Sequence, residues 1–93
     1  MRVLDGRQLT AARALAEMTV AELAESAGVT PRTLHRLEIG GVVPVAPKRR
    51  HGHVSQAVLD KITGALAVRG VELVPQTESL GSGVRWTAPR ERR

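Results

Sequence analysis

The chain has 93 residues, room for one small domain, so the separate cofactor and substrate lobes of a multi-domain enzyme are excluded. Hydrophobic residues make up 42% of it, yet 12 of them are Ala, Trp86 is the one aromatic and Cys is missing, which leaves a thin core, no disulfide and no thiolate metal site. Lys plus Arg number 14 against 9 Asp plus Glu, and the resulting charge of +5 points to a polyanion as partner. No stretch approaches the ~18 apolar residues of a membrane helix, and the first residues, MRVLDGRQLTAAR, lack the apolar block of a signal peptide. A soluble, cytoplasmic protein with no membrane association is expected.

In chain order, the first predicted element is a helix capped by Asp5, with Gln8 completing a capping box and Leu4 stapled to Leu9. Leu9, Ala12, Leu15 and Ala16 line its core face. A second helix starts at Thr19, which forms a Thr-x-x-Glu box with Glu22 while Met18 meets Leu23. Glu22 and Glu25 lie early in it, where the helix dipole favours negative charge, and it is expected to run to about Ala27 and stop at Gly28 in a left-handed cap. A third, short helix starts at Thr30 with Pro31 in its first position, stapled from Val29 to Leu34, with Leu34 and Leu37 inward and Gly40-Gly41 at its end. Residues 42–54, with Pro44, Pro47 and Gly52 and no periodicity, read as a long basic loop carrying Lys48, Arg49 and Arg50. A fourth helix starts at Ser55, buries Val58, Leu59, Ile62, Ala65 and Leu66, and closes at Gly70. Val71–Val74 and Val84–Thr87 then read as the strands of a loose β-hairpin. The fold class that follows is mostly α: a small four-helix domain over residues 1–70, a C-terminal β-hairpin over 71–88 and a basic tail over 89–93.

Charge is sorted along this chain. Residues 30–53 hold Arg32, Arg36, Lys48, Arg49 and Arg50 against the single acid Glu38, while Glu17, Glu22 and Glu25 stand just upstream. Two short helices joined by a tight turn, with Ala24 and Gly28 leaving room where they cross, have the spacing of a helix-turn-helix. The string TVAELAESAGVTPRTLHRLEIGG, ending in Leu37-Glu38-Ile39-Gly40, resembles the lambda-repressor/Cro-like family, also called the xenobiotic-response-element family, over roughly residues 5 to 67. The segment after the last helix is similar to the Gly-Val-Glu-aliphatic strand of small bacterial regulators.

That resemblance implies a sequence-specific DNA-binding transcriptional regulator that inserts its third helix in the major groove of a double-stranded DNA operator. Pro31, Arg32 and Arg36 would meet base edges, Thr33 and His35 would reach phosphates from the margin, and Thr19 would do so at the start of the second helix. Glu38 would pair structurally with Arg13. Arg32 and Arg36 also suit the task chemically, since a guanidinium can donate two parallel hydrogen bonds to guanine O6 and N7. Two features depart from the family: Val20 stands where it often has Gln, and the basic segment exceeds its usual short connection. Lys48, Arg49 and Arg50 are expected on the phosphate backbone, where contacts are salt-sensitive and sequence-blind.

One small module makes few base contacts, so a homodimer on paired half-sites is expected, with the hairpin as its interface. A second function, from another class, keeps the helix-turn-helix fold but binds another transcription regulator and sequesters it, as an antiactivator does; Val20 and Pro31 favour it, and the +5 charge and the Arg32/Arg36 pair oppose it. His35, His51 and His53 supply no more than a His-x-His pair, so no metal site is assigned. Ser55, His51 and Asp60 are the residue types of a catalytic triad, but no nucleophile elbow or Gly-rich phosphate loop surrounds them, so neither an enzyme nor a cofactor is expected. Trp86 is expected to cover the fourth helix, with an interface anchor as the alternative.

Overall fold

The structure is a computed structural model and describes residues 2–89. Its elements run β1 (Val3–Asp5), α1 (Gly6–Ala16), α2 (Val20–Ala27), α3 (Pro31–Ile39), β2 (Val42–Ala46), β3 (Val54–Ser55), α4 (Gln56–Val68), β4 (Val71–Val74) and β5 (Gly83–Trp86). Each helix begins on the cap its own sequence supplies. Asp5, Thr19, Thr30 and Ser55 have extended backbones, and their side chains accept hydrogen bonds from amides of the first turn. Arg7 bonded to Asp5, and the Thr19 amide bonded to Glu22, hold both carboxyls below their ordinary pKa. Their contribution to stability is therefore present at neutral pH and fades as pH falls through the carboxylate range. At the other end of α2, Gly28 has φ of 72°, the left-handed conformation that glycine takes without strain.

Leu9 and Ala12 of α1, Leu23 and Ala24 of α2, Leu34 of α3, and Leu59, Ile62 and Leu66 of α4 form the core, closed by Leu4 and Val71. Each buried Leu or Ile contributes about 1.5–3 kcal/mol, and the two alanines let the helix backbones approach.

Residues 42–54 are not one long loop, and sheet is not confined to the C-terminal hairpin. β2 lies between β1 and β3, antiparallel to the first, with Leu4 opposite Val43, and parallel to the second, with Val45 opposite Val54. Only 47–53 is irregular. Periodicity missed β2 because the strand is short and Pro44 interrupts it, yet that proline removes no ladder bond. The Val45 amide donates to the Arg2 carbonyl at 2.8 Å, so odd residues of β2 face β1, while the Pro44 nitrogen faces the edge where β3 starts only opposite Val45. Leu4, expected as a staple, is a fully buried strand residue. The next residue but one, Gly6, approaches α3 so closely that a Cβ on it would lie 2.1 Å from the Leu37 carbonyl oxygen and 2.5 Å from that of Glu38. No other residue fits without moving backbone.

β4 and β5 form the hairpin, with its second strand one residue earlier than expected. Leu73, Val84 and Trp86 pack against the core beside buried Val71, and Glu72 pairs with Arg85 on the opposite face. Gln8 fastens the hairpin to α1. Its Oε1 accepts the Asp5 amide at 3.1 Å, and its Nε2 donates to the carbonyls of Val74 at 3.0 Å and Gly83 at 3.1 Å. In Gln8→Glu a carboxylate would face those two carbonyls with no proton to donate, an expected loss of about 2 kcal/mol at neutral pH. The new carboxyl's folded pKa would be raised, so the deficit should shrink on acidification to about pH 4 and grow as pH rises. Melting curves of variant and parent at several pH values check this; a pH-independent difference would show that Nε2 does not hold the hairpin.

Arg90, Glu91, Arg92 and Arg93, most of the expected basic tail, lie outside the described residues. Among the described residues, no helix is long and apolar enough to cross a membrane.

Candidate nucleic-acid interface

Residues 28–30 join α2 to α3, and the orientation of α3 is set from behind. Leu34 is fully buried; Glu38, one turn later, is 8% exposed. The Glu38 carboxylate accepts from Arg13 Nε at 2.8 Å, from Arg13 Nη2 at 2.8 Å and from the Thr10 hydroxyl at 2.9 Å. Arg13 Nη1 donates as well to the Met18 carbonyl at 3.2 Å, so one guanidinium ties α1 to α3 and to the bend before α2. The bond to Glu38 raises the Arg13 pKa above its ordinary value.

With Leu34 and Glu38 inward, the helical repeat turns Pro31, Arg32, His35, Arg36 and Ile39 outward, and all five are exposed. Among the described residues, neither Arg32 nor Arg36 has a carboxylate within salt-bridge distance; the three ion pairs join Arg7 to Asp5, Arg13 to Glu38 and Arg85 to Glu72. Ile39, 69% exposed, was not singled out from the sequence. Its signal was the spacing 32–36–39, which puts it on the arginine stripe.

Beside the stripe, an open cleft of about 490 Å³ separates α3 from the start of α4. Thr30, Thr33 and Arg36 line one side, and Arg49, His53 and Ser55 the other. Thr33 is half-buried, and its hydroxyl accepts from that of Thr30 at 2.9 Å. Lys48, Arg49 and Arg50 are all exposed on the irregular stretch 47–53, and of the three it is Arg49 that borders the cleft. His53, which was not among the residues assigned to phosphate from the sequence, stands there too. No local pattern announces this, because the cleft forms only when β3 pairs with β2.

Thr19 is exposed, but its amide already donates to Glu22 at 3.0 Å. A phosphate approaching the start of α2 would meet that carboxylate, so Thr19 is poorly placed for the phosphate contact assigned to it. Val20 is half-buried and packs against the core. Among the described residues, no three His, Asp or Glu side chains are grouped to hold a metal ion. Compared with known proteins, the chain matches no family model and no curated sequence.

Proposed function

We propose that the chain is a DNA-binding transcriptional regulator, a helix-turn-helix domain that lays α3 in the major groove of a double-stranded operator and works as a homodimer. The observation that carries this reading is the outer stripe of α3, where Arg32 and Arg36 stand exposed and, among the described residues, without acidic partners on a helix locked by Glu38 and Leu34. Arginines held on a fixed helix suit the guanine edge, while Pro31 and Ile39 offer apolar contact to a thymine methyl. The resemblance to the lambda-repressor/Cro-like family supports the same reading. Lys48, Arg49, Arg50, His35 and Thr33 then surround the stripe as phosphate contacts. The β4–β5 hairpin pairs with no third strand among the described residues, so its edge is available to a second copy.

One observation favours the second reading, a protein-binding antiactivator. Ile39, Val42 at 60% exposure and Val3 at 44% put apolar surface at the end of α3 and on the outer face of β1 and β2. Binding to a duplex from the region upstream of the protein's own gene, against a scrambled duplex, decides between them. The expected result is tighter binding to the upstream duplex. Replacing Lys48, Arg49 and Arg50 together with Ala should weaken both complexes by similar factors and flatten the slope of log K against log salt by up to about 3 units. Absence of duplex binding even at low salt, with retention of a transcription regulator, would replace the first reading with the second.

A further inference from the structure

We infer that the cleft between α3 and α4 is a receptor for one phosphate group. The inference deepens the DNA-binding reading by giving Arg36 a phosphate instead of a base, and rests on that reading only for the source of the phosphate. Two arginines and a histidine from separate parts of the chain line it: Arg36 from α3, Arg49 and His53 from residues 47–53. Among the described residues, no Asp or Glu lines the cleft and no ion pair involves either arginine. Like charges gathered without an acid repel one another, and an anion between them reverses the sign of that interaction.

The cleft is held in place rather than formed by chance between loose side chains. Val54 is buried beneath it and pairs with Val45 of β2. The His53 amide donates to the Arg50 carbonyl at 3.1 Å, and the His53 ring bonds through Nδ1 to the His51 carbonyl at 3.1 Å. Thr30 and Ser55, the N-caps of α3 and α4, both line it, so the positive ends of two helix dipoles open on the space that the cations border. The donors decide the ligand class. Two arginine forks with the hydroxyls of Thr33 and Ser55 border the cleft from different sides, and the tetrahedrally spread oxygens of a phosphate, two terminal and two bridging in a diester, offer them more acceptors than the two coplanar oxygens of a carboxylate. The ligand is thus a phosphate ester, either a phosphodiester of the DNA backbone or the phosphate of a free nucleotide.

The test is a titration of the ¹⁵N-labelled protein with inorganic phosphate at constant ionic strength, with chloride as control. Saturable shifts are expected at the backbone amides of Thr33, His53 and Ser55 and at the guanidinium Nε–H groups of Arg36 and Arg49. Arg49→Gln and His53→Gln should each weaken phosphate about tenfold while leaving the rest of the spectrum unchanged, and Lys48→Gln, outside the cleft, should not. A second arm identifies the source. If phosphate lowers duplex affinity beyond the chloride control, the site holds a backbone phosphodiester. If duplex affinity is unchanged and a 5′-mononucleotide binds more tightly than phosphate, the site holds a free phosphate ester. Shifts that grow linearly with concentration, or that follow Lys48 and Arg50 as strongly as Arg49, overturn the site. Should that happen while Arg32→Ala still alters operator selectivity, this inference falls and the DNA-binding reading stands.

Discussion

Replacing Glu38 with Ala is expected to lower the stability of the domain by about 3–5 kcal/mol and its melting temperature by about 12 °C or more. The carboxylate is the meeting point of three donors, two from Arg13 and one from Thr10, and its side chain is 5% exposed against 20% for that of Arg13. Removing it leaves a guanidinium largely desolvated and a hydroxyl without its acceptor. Arg13→Ala should cost at least as much, because the stem of Arg13 can swing its charge toward water whereas the short Glu38 is fixed on the inner face of α3. Replacing both at once with Met and Leu should recover much of either loss, since an apolar pair of similar volume avoids the desolvation of both ions. Against the roughly 5–15 kcal/mol that a domain of this size commands, either single loss is large. Thermal melts of the three variants check the expectation. Single variants within a few degrees of the parent would show that α3 is held by Leu34 and its neighbours alone.

What the sequence disclosed about this fold depended on how local the cause was. Helix starts at Asp5, Thr19, Thr30 and Ser55 were legible because each cap lies within a few residues of what marks it, a box at Asp5 and Thr19, Pro31 beside Thr30 and an apolar staple around Ser55. The stop at Gly28 was legible for the same reason. Gly6 was not. Its necessity comes from the Leu37 and Glu38 carbonyls, far along the chain, and nothing around it marks a close approach. Gln8 was read correctly as half of a capping box, but its amide nitrogen reaches Val74 and Gly83, a role that no window around residue 8 contains. β1 and β2 escaped because a three-residue strand and a strand broken by Pro44 are too short for alternation to show, and their pairing is decided by contact with each other. The Arg13–Glu38 pair came from family resemblance and not from spacing, since the two residues sit on different helices. Arg32 and Arg36 were legible as an exposed stripe. The cleft that Arg36 shares with Arg49 and His53 was not, because it depends on how 47–53 returns to the sheet.

Arg32→Ala and Arg36→Ala are expected to damage DNA binding in different ways, although the two residues lie one turn apart on the same helix. Arg32 is exposed at the start of α3, takes no part in lining the cleft and has no acidic partner among the described residues, so its guanidinium is free to lie in the groove. Its removal should cost the operator complex about 1–3 kcal/mol, relax selectivity at one base position and leave the scrambled duplex bound nearly as before. Arg36 borders the cleft, so its removal should weaken operator and scrambled duplex alike and reduce the salt slope by about 1 unit, with base preference intact. Neither change should move the melting temperature, because each side chain is exposed and, among the described residues, no ion pair involves either. Affinities for the two duplexes at several salt concentrations, with selectivity measured on a library of operator variants, separate the cases. A loss of selectivity from Arg36→Ala as sharp as that from Arg32→Ala would put Arg36 in the groove and deprive the cleft of its α3 cation. No effect from either would remove α3 from DNA altogether, and its exposed end at Ile39, with Val42 and Val3, would then be the surface to test against a protein partner.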